Sequence, residues 1–90
     1  MIVKKTKQFL EDLTDIVSYI AQDKLDAAIA FEEHIHSQVD ALADPKFPRR
    51  PGRVVGTLEL VAHPNYVVVL MQDSSSVTVL TVLHAAKQYP

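Results

Sequence analysis

Tyr66-Val-Val-Val-Leu-Met-Gln72, Asp73-Ser-Ser-Ser76 and Val77-Thr-Val-Leu-Thr-Val-Leu-His84 decide the fold. Two valine-rich runs, each too short for a buried helix, flank a polar turn, which is the pattern of a β-hairpin. Upstream, the stretch from Val54 to Ala62 predicts another strand, with His63-Pro64-Asn65 as the bend before Tyr66. Strict alternation in the last strand would send Val77, Val79, Thr81 and Leu83 to one face and Thr78, Leu80, Val82 and His84 to the other. That strand stops on His84, with Lys87, Gln88 and Tyr89 just beyond, so the sheet holds polar and cationic groups at one end.

Before this sheet the period changes from two to near 3.6. Thr6 is placed to cap a helix whose apolar stripe is Leu10, Leu13, Val17 and Ile20, widened by Phe9, Ile16 and Tyr19. Asp23 or Asp26 is placed to cap a second helix with the stripe Ala28, Phe31, Ile35, Val39 and Leu42, stopped by Asp44-Pro45. The short link between them implies an antiparallel helical hairpin. Met1 to Lys4 suits an edge strand, and Pro45 to Gly52, with three prolines, reads as an exposed loop without regular structure. The expectation is one α+β domain over 1–90, ordered β-α-α-β-β-β, with the helical hairpin covering one face of a small antiparallel sheet.

A chain of 90 residues, 48 % hydrophobic, supports a single core and argues against disorder. It has no cysteine, which removes disulfides and thiolate metal sites. The start of the chain does not resemble a signal peptide, and no apolar run approaches the ~20 residues of a membrane span, so a cytoplasmic protein without membrane contact is expected. The charge is uneven. Residues 1–44 set four lysines against nine acids, for −5, while residues 45–90 set five cations against Glu59 and Asp73, for +3. Arg49, Arg50 and Arg53 fall within five positions. An acidic helical half beside a mildly basic sheet suits a two-sided binding protein better than one gripping nucleic acid by charge alone.

The run Tyr66 to Met71 is apolar on both faces, which implies that a partner chain or a second copy covers the face away from the helices. Glu59, alone on an apolar strand, is expected to pair with a nearby arginine. Glu32-Glu33-His34 and His36 look like metal ligands, but helix positions two apart point nearly opposite ways, so a solvated face is the better reading. No metal or cofactor is expected. His63-Pro64 reads as turn chemistry.

Taken in order, Asp12-Leu13-x-x-Ile16-x-x-Tyr19-Ile20-Ala21, Ala27-Ala28-x-x-Phe31, Leu42-x-x-Pro45, Gly52-Arg53-x-x-Gly56-Thr57-x-Glu59-Leu60, His63-x-x-Tyr66-Val67-Val68 and Val82-Leu83-His84-Ala85-x-x-Gln88-Tyr89-Pro90 resemble the RelE/ParE family of bacterial toxins. The resemblance spans nearly the whole chain. It implies a growth-inhibiting toxin of a type II toxin–antitoxin pair, of the kind that stabilises plasmids, held inactive in a hetero-oligomer with a cognate antitoxin. One branch of the family resembles ribosome-dependent mRNA endonucleases, and the other resembles inhibitors of DNA gyrase that need no catalytic groups. A non-toxic interaction module of the same fold is a third possibility.

Cleavage through a 2′-hydroxyl needs a base, a donor for the leaving oxygen and cations for the phosphate. The central strands here carry Leu58, Leu60 and Val67, and Leu58 stands where an arginine usually follows Gly-Thr in the family. Leu58 departs from both branches, but the apolar strand centres and the acidic helical half favour the ParE-like one, with gyrase as target and the translating ribosome as the alternative. In the nuclease reading His84, Glu59, Arg53, Lys87 and Tyr89 are the candidate catalytic residues. In the binding reading Arg49, Arg50, Arg53, His84, Lys87, Gln88 and Tyr89 form the target surface. The antitoxin is expected to cover Leu10, Leu13, Val17, Ile35, Tyr66, Val68, Leu80 and Val82. The arginine loop is expected to be dispensable for stability.

Overall fold

The computed structural model describes residues 1–87. The chain runs β1 (Ile2–Lys5), α1 (Lys7–Ala21), α2 (Leu25–Asp40), a 3-10 turn (Ala41–Ala43), β2 (Arg50–Pro51), β3 (Leu58–His63), β4 (Tyr66–Gln72) and β5 (Ser76–His84). The five strands form one sheet in the order β1-β5-β4-β3-β2. The expected α+β arrangement is therefore present, with one refinement. β2 to β5 pair antiparallel, but β1 lies parallel to β5, with Ile2 opposite Ser76 and Lys5 opposite Val79. A parallel neighbour has to be reached through a long connection, and the helical hairpin with the strands after it supplies one.

The two helices bury Phe9, Leu13, Phe31, Ile35 and Val39 against Leu60, Val68, Leu70, Val77, Val79 and Val82. Thr6 does cap α1, its hydroxyl accepting from the Phe9 amide at 3.1 Å while donating to the Val79 carbonyl at 2.7 Å. One side chain thus starts the helix and ties it to β5. The α1 stripe lies slightly round from its expected position: Phe9 is fully buried, whereas Leu10 is 43 % and Tyr19 73 % exposed. The second helix begins at Leu25 with Lys24 at its N-cap and no side-chain cap, and Asp26 sits in the first turn. Neither Asp23 nor Asp26 occupies the cap position.

Three further expectations are corrected. The proline-rich loop is not wholly irregular, because Arg50 and Pro51 pair with Glu59 and Leu58. Proline is tolerated there because β2 is the sheet edge. The next strand begins at Leu58 rather than at residue 54, since residues 52–57 fold into a tight turn. In β5 the strict alternation fails: Leu70 faces Val79 and Val69 faces Thr81, leaving Leu80 as an extra residue in a bulge. Val77, Val79 and Val82 therefore share the core face.

The face away from the helices is also partly closed by the chain itself. Val67, Val69 and Glu59 are buried there, and Arg53 reaches both Glu59 and the carbonyls of Ala85 and Lys87. A partner chain or second copy is thus not needed over its centre, while Val61 and Met71 remain about half exposed towards its margins. Four residues assigned to the antitoxin surface, Leu13, Ile35, Val68 and Val82, are core residues at most 3 % exposed and offer nothing to a partner in this fold. Among the described residues, no helix is long and apolar enough to cross a membrane.

Candidate functional site

Gly52-Arg53-Val-Val-Gly56-Thr57 is a closed turn. The Gly52 amide donates to the Thr57 carbonyl at 2.9 Å, and the Thr57 amide and hydroxyl both donate to the Val54 carbonyl, at 3.1 and 2.6 Å. A Cβ at Gly52 would lie 2.2 Å from the Thr57 hydroxyl oxygen, and Gly56 has φ +89°, so both positions need glycine for different reasons. This turn delivers Arg53 to the outer sheet face beside Glu59.

Glu59 is only 2 % exposed. Its Oε1 accepts from Arg50 Nε at 3.1 Å and Nη2 at 3.0 Å, which confirms the expected pairing with an arginine. Arg50 lies directly opposite it in the β2–β3 register. The second oxygen, Oε2, accepts no hydrogen bond, and Arg53 Nε stands 4.0 Å away. A buried carboxylate is costly unless cations compensate it, and two arginines do so here. At its other end Arg53 donates from Nη1 to the Lys87 carbonyl at 3.0 Å and from Nη2 to the Ala85 carbonyl at 3.3 Å.

His84 closes β5 next to this point. Its Nδ1 accepts from the Ala86 amide at 3.1 Å, which leaves the neutral ring's hydrogen on Nε2. The Lys87 amide returns to the His84 carbonyl at 2.9 Å and the Ala85 amide donates to the Asn65 carbonyl at 2.8 Å, making residues 84–87 a tight turn. The His84 ring stands edge-on to Tyr66, with centroids 5.2 Å apart, and Tyr66 in turn contacts Phe31 and His63. This ring chain draws on α2, β3, β4 and β5, and its His63–Tyr66 and Tyr66–His84 contacts are between paired strand residues.

The structure therefore brings Arg50 and Arg53 to Glu59 on the outer sheet face and ties Arg53 to the backbone of the 84–87 turn, while the His84 ring turns to Tyr66 on the helix-facing side and Arg49 lies apart. Arg49 is tied to the carbonyls of Phe47 and Asp44, at 3.0 and 2.6 Å, and to the Gln72 side chain at 2.7 Å. Arg49 thus ties the chain after α2 to β4, where a solvated loop side chain was expected. Gln88 and Tyr89 lie outside the described residues. Glu33 and His34 are exposed, as a solvated face requires, while His34 also donates to the Ala62 carbonyl and the half-buried His36 accepts from Lys5 at Nδ1. His63 Nδ1 accepts from the Asn65 amide, as turn chemistry requires. Of the expected antitoxin surface, Leu10 is exposed, and Val17, Tyr66 and Leu80 are half-buried.

Chemically, the outer face presents Arg50 and Arg53 around a carboxylate that is out of solvent, beside the turn that carries His84 and Lys87. Cations so placed are suited to anions and acidic side chains, and Glu59 is already engaged by Arg50.

The model of the family of ParE toxins of type II toxin–antitoxin systems matches residues 3–89. The chain belongs to the ParE toxin family. Consistent with this, it is 38 % identical over 88 residues to the candidate toxin Y4kP of Sinorhizobium fredii strain NGR234, covering 98 % of this chain and 92 % of that protein. The fold matches a chain of the chromosomal ParDE toxin–antitoxin system from P. aeruginosa with TM-score 0.80 and 20 % identity, over 93 % of this chain and 95 % of that one. The RelE/ParE resemblance read from sequence is thereby settled on its ParE side at the level of family.

Proposed function

We propose that this ParE-type toxin inhibits growth by binding a protein target, with DNA gyrase as the target the family implies, and that a cognate antitoxin neutralises it. The observation that carries this reading is the state of Glu59. Glu59 is 2 % exposed and its Oε1 is bound to Arg50, so it lacks the access to solvent and substrate that a general base needs. Arg53, His84 and Lys87 then serve as contacts to an acidic surface of the target.

The ribonuclease reading keeps one observation in its favour: the turn that holds His84 Nδ1 does not engage Nε2, and Arg53 binds the backbone of that same turn. The antitoxin is proposed to lay an apolar segment across the helical hairpin, where Leu10, Tyr19, Leu25 and Ile29 are exposed. Purified toxin added to a gyrase supercoiling assay and, separately, to a translating extract decides between the targets. Loss of supercoiling with intact transcripts is expected. Cut transcripts with undisturbed supercoiling would transfer the assignment to the nuclease branch.

A further inference from the structure

We infer that Glu59 is a positioning residue, fixing Arg53 and, through it, the turn at 84–87 that carries His84 and Lys87. The inference deepens the proposed function and rests on it only for its consequence in the cell. A carboxylate in the middle of an apolar strand needs a reason, because an aliphatic residue at a buried position avoids its desolvation. Arg50, directly across the sheet, accounts for Oε1. It does not account for Oε2, which is buried, accepts no hydrogen bond and faces Arg53 Nε at 4.0 Å. The free oxygen thus acts on Arg53 as a fixed charge.

Arg53 is suited to pass this constraint on. Its planar fork places one edge towards Glu59 and two other nitrogens on the carbonyls of Lys87 and Ala85. Those carbonyls bracket the turn in which the Ala86 amide holds His84 Nδ1. The order of dependence is Glu59, then Arg53, then the turn, then the orientation of the His84 ring and the site of Lys87. Gly52 and Gly56 belong to the same device, since they shape the turn that sets the Arg53 backbone.

Amide hydrogen exchange on the full chain tests this, using Arg53→Ala, Glu59→Gln and the double variant. Arg53→Ala removes a side chain that is 41 % exposed and leaves Arg50 bound to Glu59, so it should fold. In both single variants the amides of Ala85, Ala86 and Lys87 should exchange at least about tenfold faster, the effect of losing one hydrogen bond to a charged group, while Val68 and Leu70 keep their protection. The His84 ring nitrogens should report the same event, their ¹⁵N shifts moving from the Nε2–H tautomer towards an average. A purely structural role for Glu59 would change core and tail exchange together. In a series relay the double variant should match Arg53→Ala alone. Additive acceleration, or wild-type tail protection in Arg53→Ala, would overturn the inference. Should Glu59→Gln not fold, Glu59→Asp keeps the charge and withdraws the oxygens by one methylene; wild-type tail protection in that variant also counts against it. In cells, both single variants should lose at least tenfold in growth inhibition at matched expression while still binding antitoxin. A freed tail with full toxicity would leave the relay standing and refute the target surface instead.

Discussion

Replacing Arg49 by alanine is expected to cost about 2 kcal/mol of folding stability. The side chain makes three short hydrogen bonds, to the Phe47 carbonyl at 3.0 Å, the Asp44 carbonyl at 2.6 Å and Gln72 Oε1 at 2.7 Å, with two longer ones of 3.4 Å to the Leu42 carbonyl. Each net hydrogen bond is worth about 0.5–1.5 kcal/mol, and those to Asp44 and Gln72 are exposed, which places them at the low end. The loss matters because Leu42 is fully buried and anchors the chain after α2 to the core. Domains of this size shift by about 4–8 °C per kcal/mol, so Tm should fall by roughly 8–16 °C. Urea unfolding of wild type, Arg49→Ala and Arg49→Lys measures it, with the midpoint dropping and the slope unchanged. Lysine keeps the charge but cannot span three acceptors in one plane, so it should recover less than half of the difference. A midpoint for Arg49→Ala equivalent to less than ~0.5 kcal/mol of change would refute the reasoning and return the arginine to a solvated loop.

Gly52→Ala should destabilise by about 1–3 kcal/mol in thermal unfolding, since its Cβ would meet the Thr57 hydroxyl oxygen at 2.2 Å and overpacking costs that much; an unchanged Tm would show that Thr57 simply rotates away. Leu13→Ala should cost about 3–5 kcal/mol and Leu10→Ala below ~1 kcal/mol, because one is buried and the other 43 % exposed; equal losses would restore the original placement of the α1 stripe. Asp73 has its carboxyl held below the usual range, chiefly by hydrogen bonds from the Ser75 and then the Ser76 amide. A lowered folded pKa gives stability that is present above the unfolded value of about 3.9 and disappears as pH falls through the lower folded value. The stability gap between wild type and Asp73→Ala should therefore be constant near neutrality and narrow below about pH 4; a gap independent of pH down to acid unfolding would contradict the assignment.

Elements with a strong local period were legible in the sequence. The α2 stripe of Ala28, Phe31, Ile35 and Val39 is the buried set, and the β4–β5 hairpin falls where the valine runs placed it. Thr6 was legible as a cap because capping is a contact within four residues. What was missed depends on partners far along the chain. Arg53 finds Lys87, Glu59 selects Arg50 over its neighbours, and Arg49 turns away to Asp44 and Gln72. Three clustered arginines look alike in sequence, and only the β2–β3 register and the two-glycine turn give them different fates. The second sheet face was misread for a related reason: Arg53 of the two-glycine turn reaches across it to Glu59 and the 84–87 turn, and an arginine carries no hydrophobic signal.

The bulge at Leu80 shows how narrowly the site depends on strand parity. Val79 and Val82 both belong to the core, although a regular strand would put residues three apart on opposite faces. One unpaired residue between them restores the match, so that Val82 faces Val68 and His84 faces Tyr66. Without it, His84 would lie on the face opposite Val79, and its ring contact with Tyr66 would not form. The bulge occurs where the Thr6 hydroxyl donates to the Val79 carbonyl and, more distantly, to that of Leu80, which places the start of α1 beside the irregularity. The N-terminal helix cap, the core of β5 and the orientation of the His84 ring are consequently coupled through a single step in register. Helix docking and site geometry are thus set by the same stretch of β5, from Val79 to His84, and a change tolerated by one must also satisfy the other.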